Sequence, residues 1–327
     1  MCTALSWNSK DHYFGRNLDL EYGYDEKVVV TPRNYPFHFR RAEVQPQHYA
    51  MIGMATMKDG YPLYYEATNE MGLSMAGLNF PGNAVYLSAQ TDKTNIAPFE
   101  FIPWILGQSA NLNEAKSHLQ RLNLVNIPFS PELPLSPLHW LIADRQGAIV
   151  AEPMADGLRI YENPVGVLTN NPPLEFHLQN LGQYLNITSA QAENRFSSRF
   201  NLTPWSNGMG GLGLPGDYSS ASRFVKATFV KLNSPTGQEQ EESVSQFFHI
   251  LSSVEMPLGA VKMSDGRFEI TRYSCCCNAS RGIYYYKTYN SSRIVGIDLH
   301  QENLDGSAPI AYPLIDKEHF LFQNEQP

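Results

Sequence analysis

The chain is poor in cysteine, poor in charge and free of long apolar runs, and each shortage excludes a class of protein. Its four cysteines, three of them adjacent, are too few and too clustered for the disulfide framework of a small secreted domain. Only 17% of the residues are charged and the net charge is -8, which leaves no basic face for nucleic acid or for stable association with an anionic membrane. No segment approaches the roughly 18 apolar residues that a membrane span needs.

Signals for export and for metal binding are also missing. The first residues, Met-Cys-Thr-Ala-Leu-Ser-Trp, contain no basic segment followed by an apolar one, so the sequence predicts no secretory leader and a cytoplasmic location. The histidines show no metal-ligand spacing, and His139 lies in an apolar run that favours a packed side chain over a ligand. The adjacent Cys275, Cys276 and Cys277 are interpreted as buried or half-buried free thiols. We therefore expect no metal site.

The glycine-rich segment Gly208–Gly213 matches the spacing of a dinucleotide-binding loop. Such a loop has to follow a strand and open a helix. Here Pro204-Trp-Ser-Asn precedes the glycines and Leu214-Pro-Gly follows them, so the context is a loop in which glycine permits tight turns. The sequence also lacks the motifs of phosphate-binding loops, zinc proteases and serine hydrolases. We therefore expect no cofactor.

Apolar and β-branched runs predict strands early and late in the chain, with helices between them. The predicted strands are Thr3–Trp7, His12–Leu18, Lys27–Thr31, Ala50–Ala55, Leu73–Leu78, Leu138–Ala143, Ala148–Glu152, Leu158–Tyr161 and Gly282–Tyr286. The predicted helices are Phe99–Gln108, Asn113–Leu122, Leu174–Leu185, Ser219–Leu232 and Val244–Val254, with Asn111 or Asn113 as a cap and Ser234–Glu242 as an exposed loop. The order has no regular βαβ rhythm, which favours antiparallel or mixed sheets. No linker divides the chain, so we expect one domain over residues 1–327.

The most informative feature is the cysteine at position 2. Removal of Met1 would leave a thiol and a free α-amine on one residue, and a small second residue permits that removal. An α-amine has an ordinary pKa of about 7.7 to 8.0, so it can accept the proton of the thiol near neutral pH. The resulting thiolate is the competent nucleophile. A cysteine after Met1 also occurs by chance, so the residues near Cys2 have to indicate whether it is catalytic.

A predicted hairpin supplies two charged neighbours. The strand that starts at Cys2 leads through a polar turn to Tyr13-Phe-Gly-Arg-Asn-Leu-Asp, which would bring Arg16 and Asp19 beside the N-terminus. A guanidinium there stabilises a thiolate, and a carboxylate there holds a protonated amine. Residues three apart on a regular strand point to opposite faces, so a bulge or a strand end is needed if both are to lie on one face. A solvated surface ion pair is the alternative.

With these features in view, the chain resembles the choloylglycine hydrolase family over nearly its whole length, from Met1 to about Tyr312. The resemblance rests on several motifs that follow one another in order. They are Met1-Cys-Thr-Ala, Phe14-Gly-Arg-Asn-Leu-Asp19, Asn69-Glu-Met-Gly-Leu-Ser-Met-Ala-Gly-Leu-Asn-Phe-Pro81, Pro134-Leu-Ser-Pro-Leu-His-Trp140, Gly166-Val-Leu-Thr-Asn-Asn-Pro172, Gly213-Leu-Pro-Gly-Asp-Tyr-Ser-Ser-Ala-Ser-Arg-Phe224, Phe247-Phe-His-Ile-Leu251 and Gly282-Ile-Tyr-Tyr-Tyr286.

The resemblance implies an α+β fold, the four-layer αββα sandwich of N-terminal nucleophile hydrolases, with two stacked antiparallel sheets. It implies hydrolysis of the amide between a bile acid and glycine or taurine through a thioester acyl-enzyme, and it implies a homotetramer. Carried over position by position, the resemblance implies a catalytic set. Its members are Cys2 as nucleophile and amine base, Arg16 and Asp19 as holders of the N-terminal residue, Asn79 and Asn170 as oxyanion donors, and Arg223 as an ordering residue. Asn171 is a less favoured alternative to Asn170.

Five positions match the pocket loops of the family, where an apolar substrate body would lie. They are Leu18, Tyr24, Tyr65, Phe129 and Leu133. Plain packing is the alternative for each of these side chains. The cysteine triplet departs from the family pattern and has no functional account at this stage.

Rival functions remain open. A penicillin V acylase would use the same Cys2 chemistry, although the family associates a tyrosine at the position of Asn79 with that activity. An acylase of acyl-homoserine lactones is a more remote enzyme. A non-catalytic bile-acid-binding protein is the alternative from another class, but a binder needs none of the thiol machinery.

Overall fold

The computed structural model describes residues 1–325, which form two large antiparallel sheets and a small two-stranded one. The strands are β1 (Cys2–Asn8), β2 (His12–Leu20), β3 (Glu26–Thr31), β4 (Met51–Lys58), β5 (Tyr61–Asn69), β6 (Ser74–Asn79), β7 (Thr94–Ile96), β8 (Leu122–Leu124), β9 (Leu138–Asp144), β10 (Gly147–Met154), β11 (Gly157–Glu162), β12 (Val167–Leu168), β13 (Val261–Lys262), β14 (Phe268–Asn278), β15 (Ile283–Thr288), β16 (Ser291–Asp298) and β17 (Ile310–Pro313). The helices are α1 (Phe101–Gln108), α2 (Leu112–Leu119), α3 (Leu174–Asn180), α4 (Ser220–Asn233) and α5 (Gln240–Ser252).

The first sheet has the order β12-β1-β2-β14-β15-β16, with β13 paired to β14, and the second has the order β11-β10-β9-β6-β5-β4-β3-β17. Strands β1 and β2 of the first sheet contact β6 and β9 of the second, so the two sheets stack face to face. Helices α4 and α5 cover the outer face of the first sheet, whereas α1 and α2 cover the second. This is the four-layer α+β arrangement that the resemblance implies.

Burial on both faces explains why apolar and polar residues do not alternate along the central strands. All residues of β2 except Leu20 are buried, because the second sheet lies on one side and the helices on the other. The polar members of such a strand therefore need partners inside the protein. Those partners, described below, are what positions the site.

The structure corrects three predicted boundaries. Helix α2 ends at Leu119, because Leu122 already pairs in β8, and Asn111 caps its start by accepting from the peptide nitrogen of Glu114 at 3.0 Å. Helix α3 is shorter than predicted and continues only as a 3-10 turn. The expected loop after α4 ends early, since α5 begins at Gln240, where Glu242 accepts a hydrogen bond from the peptide nitrogen of Glu239 at 3.4 Å.

Two kinds of feature are not found among the described residues. No helix within residues 1–325 is long and apolar enough to cross a membrane. Within that range no group of three or more histidine, cysteine, aspartate or glutamate side chains is arranged to hold a metal ion. The glycine-rich segment Gly208–Gly213 contains only a 3-10 turn in an irregular stretch, which confirms its interpretation as a loop.

Candidate active site

Cys2 lies at the start of β1, at the floor of a cavity of about 470 Å³ between the two sheets. The β1–β2 hairpin pairs Cys2 with Leu18 and Ala4 with Arg16. Since residues at opposed or alternate positions share a face, the thiol, Leu18 and Arg16 all point into the sandwich. The side chain of Cys2 is only 4% exposed, so a substrate has to enter the cavity to reach it.

The Arg16 guanidinium is fixed on the cavity side of β2. Its Nη1 donates to the carbonyl oxygens of Gly77 at 2.5 Å and Tyr65 at 3.3 Å, both in the second sheet. Its Nη2 is buried without a partner among the described residues. Burial opposes charge on Arg16, but the facing Cys2 thiol, Tyr273 and Glu66 outweigh that effect, so the pKa of Arg16 is raised. Arg16 is therefore a permanent cation with a free donor beside the thiol.

Asp19 reaches the N-terminus from the opposite face of β2. It shares the face of Asn17, whose Nδ2 donates at 3.0 Å to the carbonyl of Leu251 in the helical layer. One carboxylate oxygen of Asp19 accepts from Thr271 Oγ1 at 2.6 Å, while the other has no partner among the described residues. Burial raises the pKa of Asp19, although the Arg223 guanidinium and the N-terminal amine oppose the shift. Arg16 and Asp19 thus flank the N-terminal residue without any bulge in β2, which removes the difficulty that their spacing posed.

Arg223 and Asn170 hold the backbone of Cys2. Arg223, buried on α4, donates from Nη1 to the carbonyl oxygen of Cys2 and, at 2.7 Å, to Thr3 Oγ1. Its Nη2 donates at 2.7 Å to Asn170 Oδ1, which also accepts from the peptide nitrogen of Cys2 at 2.9 Å. Burial lowers the pKa of Arg223, and Asp19 opposes that shift. These bonds leave Cys2 little freedom at either end.

Two asparagines meet at the edge of the cavity beside Cys2. Asn79, the last residue of β6, lines the cavity, and its main-chain carbonyl oxygen accepts from Asn170 Nδ2 at 2.7 Å. That nitrogen carries two hydrogens, so one remains available. The arrangement can stabilise a negative oxygen that develops next to the thiol.

Met1 precedes Cys2 and has its own contacts inside the protein. Its amine donates to the carbonyl oxygen of Asp19 at 2.7 Å and forms an ion pair with Glu269. Burial lowers the pKa of this amine, against the opposing effects of Cys2 and Asp19. Sequence reasoning missed Glu269, because its position near the chain start depends on the pairing of β14 with β2, which the sequence did not predict.

Glu66 is a second residue that the sequence did not reveal. It lies on β5, and its two oxygens accept from Tyr284 OH at 2.7 Å and Tyr273 OH at 2.8 Å. The Nε atom of Arg16 is 3.8 Å from the same carboxylate, and Cys275 Sγ is 3.5 Å from it. Burial raises the pKa of Glu66, and these partners oppose the shift. A lone glutamate within an otherwise apolar strand was the available signal.

The same network accounts for part of the cysteine triplet. All three thiols are free and buried, which confirms the interpretation from sequence. Cys275 faces Glu66, and burial raises the pKa of Cys275 well above the ordinary range of a thiol. These cysteines are therefore protonated core side chains.

The five predicted pocket residues all line the Cys2 cavity. Apolar and aromatic side chains from strands, α1 and loops make up most of the remaining wall, including Leu20, Tyr22, Leu63, Phe99, Ile102, Pro134, Leu135 and Leu138. Among the described lining residues, Arg16 is the one cation and Glu132 the one anion. Such a wall suits a rigid apolar body with a polar end near the thiol.

Contacts among the lining residues keep this wall in shape. The hydroxyls of Tyr22 and Tyr24 are 2.7 Å apart, and Thr56 Oγ1 lies 2.8 Å from Tyr65 OH while donating at 2.9 Å to the carbonyl of Tyr24. Phe129 packs edge-on against Phe99 with ring centroids 5.2 Å apart. The cavity is therefore preformed.

Stacked antiparallel sheets between helical layers, with a buried cysteine at the start of a central strand, define the N-terminal nucleophile hydrolase fold. The sequence model of the linear amide C-N hydrolases, choloylglycine hydrolase family, matches residues 2–312. The chain belongs to this family and is an amide hydrolase.

Several known proteins are similar to this chain. A bile salt hydrolase/transferase of Lactiplantibacillus plantarum is 52% identical over 324 residues, which cover 99% of this chain and 100% of the relative. One from Clostridium perfringens is 37% identical over 94% of this chain and 95% of its own length. The solved C2A variant of the conjugated bile acid hydrolase from Clostridium perfringens superposes with a TM-score of 0.92 at 35% identity, covering 99% of this chain and 100% of that one. Penicillin V acylase from Agrobacterium tumefaciens shares the fold, with a TM-score of 0.75 at 18% identity over 95% of this chain and 90% of that one.

Proposed function

We propose that this chain hydrolyses the amide bond of glycine- and taurine-conjugated bile acids, with Cys2 as an N-terminal nucleophile. The observation that carries the proposal is the buried Cys2 thiol in a mostly apolar cavity that Arg16 and Asn79 also line, with Asn170 bound to the nitrogen of Cys2. The names of the relatives supply the substrate class. The whole chain acts as one catalytic domain, in the cytoplasm, after Met1 has been removed.

The reaction begins with proton transfer within one residue. Once Met1 is absent, the α-amine of Cys2 accepts the thiol proton, and Sγ attacks the amide carbonyl carbon. The carbonyl oxygen becomes an oxyanion that the amides of Asn79 and Asn170 stabilise. The ammonium then returns its proton to the amide nitrogen, the C–N bond breaks, and glycine or taurine leaves.

The second half of the reaction regenerates the thiol. The α-amine takes a proton from a water molecule, and the oxygen of that water attacks the thioester carbonyl. The same donors stabilise the second oxyanion, after which the C–S bond breaks and the free bile acid leaves. The unpartnered carboxylate oxygen of Asp19 is suited to hold the ammonium, while Arg16 balances the thiolate on the other face.

The alternatives differ from this proposal at identified positions. Penicillin V hydrolysis uses the same Cys2 chemistry, but the family pattern links it to a tyrosine where this chain has Asn79. A non-catalytic binder would give no reason for a buried Arg223 that holds the Cys2 backbone.

The direct experiment measures glycine and taurine released from conjugated bile acids by the wild-type protein and by Cys2→Ser, together with the intact mass of each. We expect release by the wild type alone, with a mass that lacks Met1. No release from a protein with a free Cys2 would contradict the substrate assignment, and penicillin V would then be the next substrate to assay.

Replacing Phe129 by alanine is expected to raise KM for a conjugated bile acid about tenfold, with kcat changed less than threefold. Full burial of a phenylalanine ring stabilises by about 1.5–3 kcal/mol, and the contact of Phe129 with the substrate is expected to be partial. A contact that is equally strong in the bound substrate and in the transition state changes KM and leaves kcat unchanged. Steady-state kinetics provide the measurement. Phe176→Ala on α3, which does not line the cavity, is the matched control, and equal KM values for the two variants would argue against a role of Phe129 in binding.

We also propose that the protein is a homotetramer. An irregular segment between α3 and α4 exposes large apolar side chains, including Phe196 at 83% and Trp205 at 82% exposure. Others in the same segment are Leu185, Phe200, Leu202 and Leu212. Exposed apolar side chains concentrated in this way are typical of an interface between subunits.

The double variant Phe196→Ser, Trp205→Ser is expected to shift the molar mass measured by light scattering from four chains toward one. Phe320→Ser, also highly exposed but outside that segment, is the control and is expected to leave the mass unchanged. A wild-type protein that is monomeric at micromolar concentration would contradict the proposal.

A further inference from the structure

Two buried histidines lie behind the turn that carries Asn170. The Nε2 atom of His139 is 3.0 Å from the carbonyl oxygen of Thr169, and the Nε2 atom of His177 is 2.9 Å from that of Asn170. Both side chains are fully buried. A carbonyl oxygen only accepts, so each Nε2 atom carries a hydrogen and donates it. Two successive peptide carbonyls are thereby held by two rings.

Glu152 extends this arrangement to the next helix. Its Oε1 lies 3.2 Å from Nδ1 of His139 and accepts from the peptide nitrogen of Leu174, at the start of α3, at 3.0 Å. A hydrogen bond between Nδ1 of His139 and this carboxyl group ties β9 and β10 to α3.

Aromatic rings fix the planes of both histidines. Phe80 stacks on His139 with centroids 4.2 Å apart and planes 5° apart. Phe224 stacks on His177 at 4.7 Å and 18°. These two phenylalanines directly follow Asn79 and Arg223. The chain segments that carry those two site residues therefore pack on the two buried histidines.

Asn170 is consequently held on every side. Its peptide nitrogen donates to Ser220 Oγ at 2.8 Å, and its carbonyl accepts from His177. Its side chain is held by Cys2, Arg223 and Asn79, as described above. The direction of the remaining Nδ2 hydrogen depends on this frame, and catalytic donors need a supporting shell to be aimed well.

We propose that His139, His177 and Glu152 are positioning residues, which fix the Thr169–Asn170 turn so that the free hydrogen of Asn170 points at the oxyanion. The inference rests on the proposed Cys2 hydrolysis. An oxyanion exists in the transition states and not in the bound substrate, so misplacing its donor lowers kcat and leaves KM nearly unchanged.

Three variants separate this role from simple packing. His139→Phe keeps the ring and its stack on Phe80 but cannot donate to Thr169. Glu152→Gln keeps an oxygen that can accept from both partners. His12→Phe is the matched control, since His12 is equally buried but lies at the far end of β2, where its Nε2 is 3.1 Å from Ser6 Oγ.

We expect His139→Phe to lower kcat 10- to 100-fold, with KM within about twofold of wild type. The kcat values are normalised to the amount of Cys2 thiol that iodoacetamide alkylates. Glu152→Gln is expected to stay within about fivefold of wild type, and His12→Phe within about twofold. An unchanged kcat for His139→Phe, or a loss no larger than that of the control, would overturn the inference.

A crystal structure of His139→Phe provides a readout that does not depend on substrate. We expect Asn170 Nδ2 to leave the carbonyl oxygen of Asn79, and its retention at the wild-type distance would refute the positioning role. If the wild-type protein releases neither glycine nor taurine, the proposed function fails, whereas this comparison still decides the role of His139.

Discussion

Replacing Cys2 by alanine is expected to lower kcat/KM for conjugated bile acids by about 10⁴-fold or more. The substitution removes the atom that forms the thioester, and loss of a covalent nucleophile typically costs that much or more even when every other group remains. It leaves the backbone bonds of residue 2 to Asn170 and Arg223 in place, because they involve the peptide nitrogen and the carbonyl oxygen. We therefore expect a folded, inactive protein that still binds substrate.

The matched control for this experiment is Cys276→Ala, which removes another buried thiol of the same sheet. Cys276 lies in β14 with no contact to the cavity, so its loss is expected to cost stability and to change kcat less than about threefold. Thermal denaturation checks folding, and alkylation with iodoacetamide counts reactive thiols. Residual activity of Cys2→Ala within tenfold of wild type would exclude Cys2 as the nucleophile.

All nine predicted strands form, whereas eight of the described strands were not predicted, namely β5, β7, β8, β12, β13, β14, β16 and β17. Two of the longer ones, β5 and β14, show why. In β5 a proline and Glu66 interrupt the apolar pattern, and in β14 Glu269, Arg272 and Ser274 do so. Their neighbours in space are distant in sequence: Tyr273 donates to Glu66 across the sandwich, and Ser274 donates to Glu255 after α5.

The candidate site divides in the same way. The hairpin pattern alone brought Arg16 and Asp19 to the N-terminus, because register in a tight hairpin is a local property. Asn79, Asn170 and Arg223 reach Cys2 from β6, from the end of β12 and from α4, and only the family resemblance could assemble them. Glu269 and Glu66 escaped both routes, since each depends on how the strands are placed in space.

The two faces of β2 explain how one short strand serves the N-terminal residue. In the proposed mechanism, Arg16 on the cavity side offers positive charge to the thiol, and Asp19 on the helical side offers negative charge to the amine. A thiol and an amine that exchange one proton pass between a neutral pair and a thiolate–ammonium pair. Under the proposed mechanism, opposite charges on opposite faces of β2 suit a thiolate on one side and an ammonium on the other.

Leaving one residue in front of Cys2 is expected to lower kcat by about 10²- to 10⁴-fold, which is the usual contribution of a general base. The nitrogen of Cys2 is then a peptide amide that donates to Asn170 and cannot accept the thiol proton. The fold has room for such a residue, since Met1 occupies this position with its amine bound to Asp19 and Glu269. The effect is therefore chemical and does not reflect misfolding.

The experiment compares two products of one fusion protein, cleaved to leave either Cys2 or Ala-Cys2 at the N-terminus, with intact mass confirming each. The thiol is present in both, so alkylation under denaturing conditions should be equal, while turnover differs. Equal turnover would show that another group takes the thiol proton. Glu66 cannot do so directly, because its oxygens already accept from two tyrosines and face Arg16, so the search would turn to a water molecule held in the cavity.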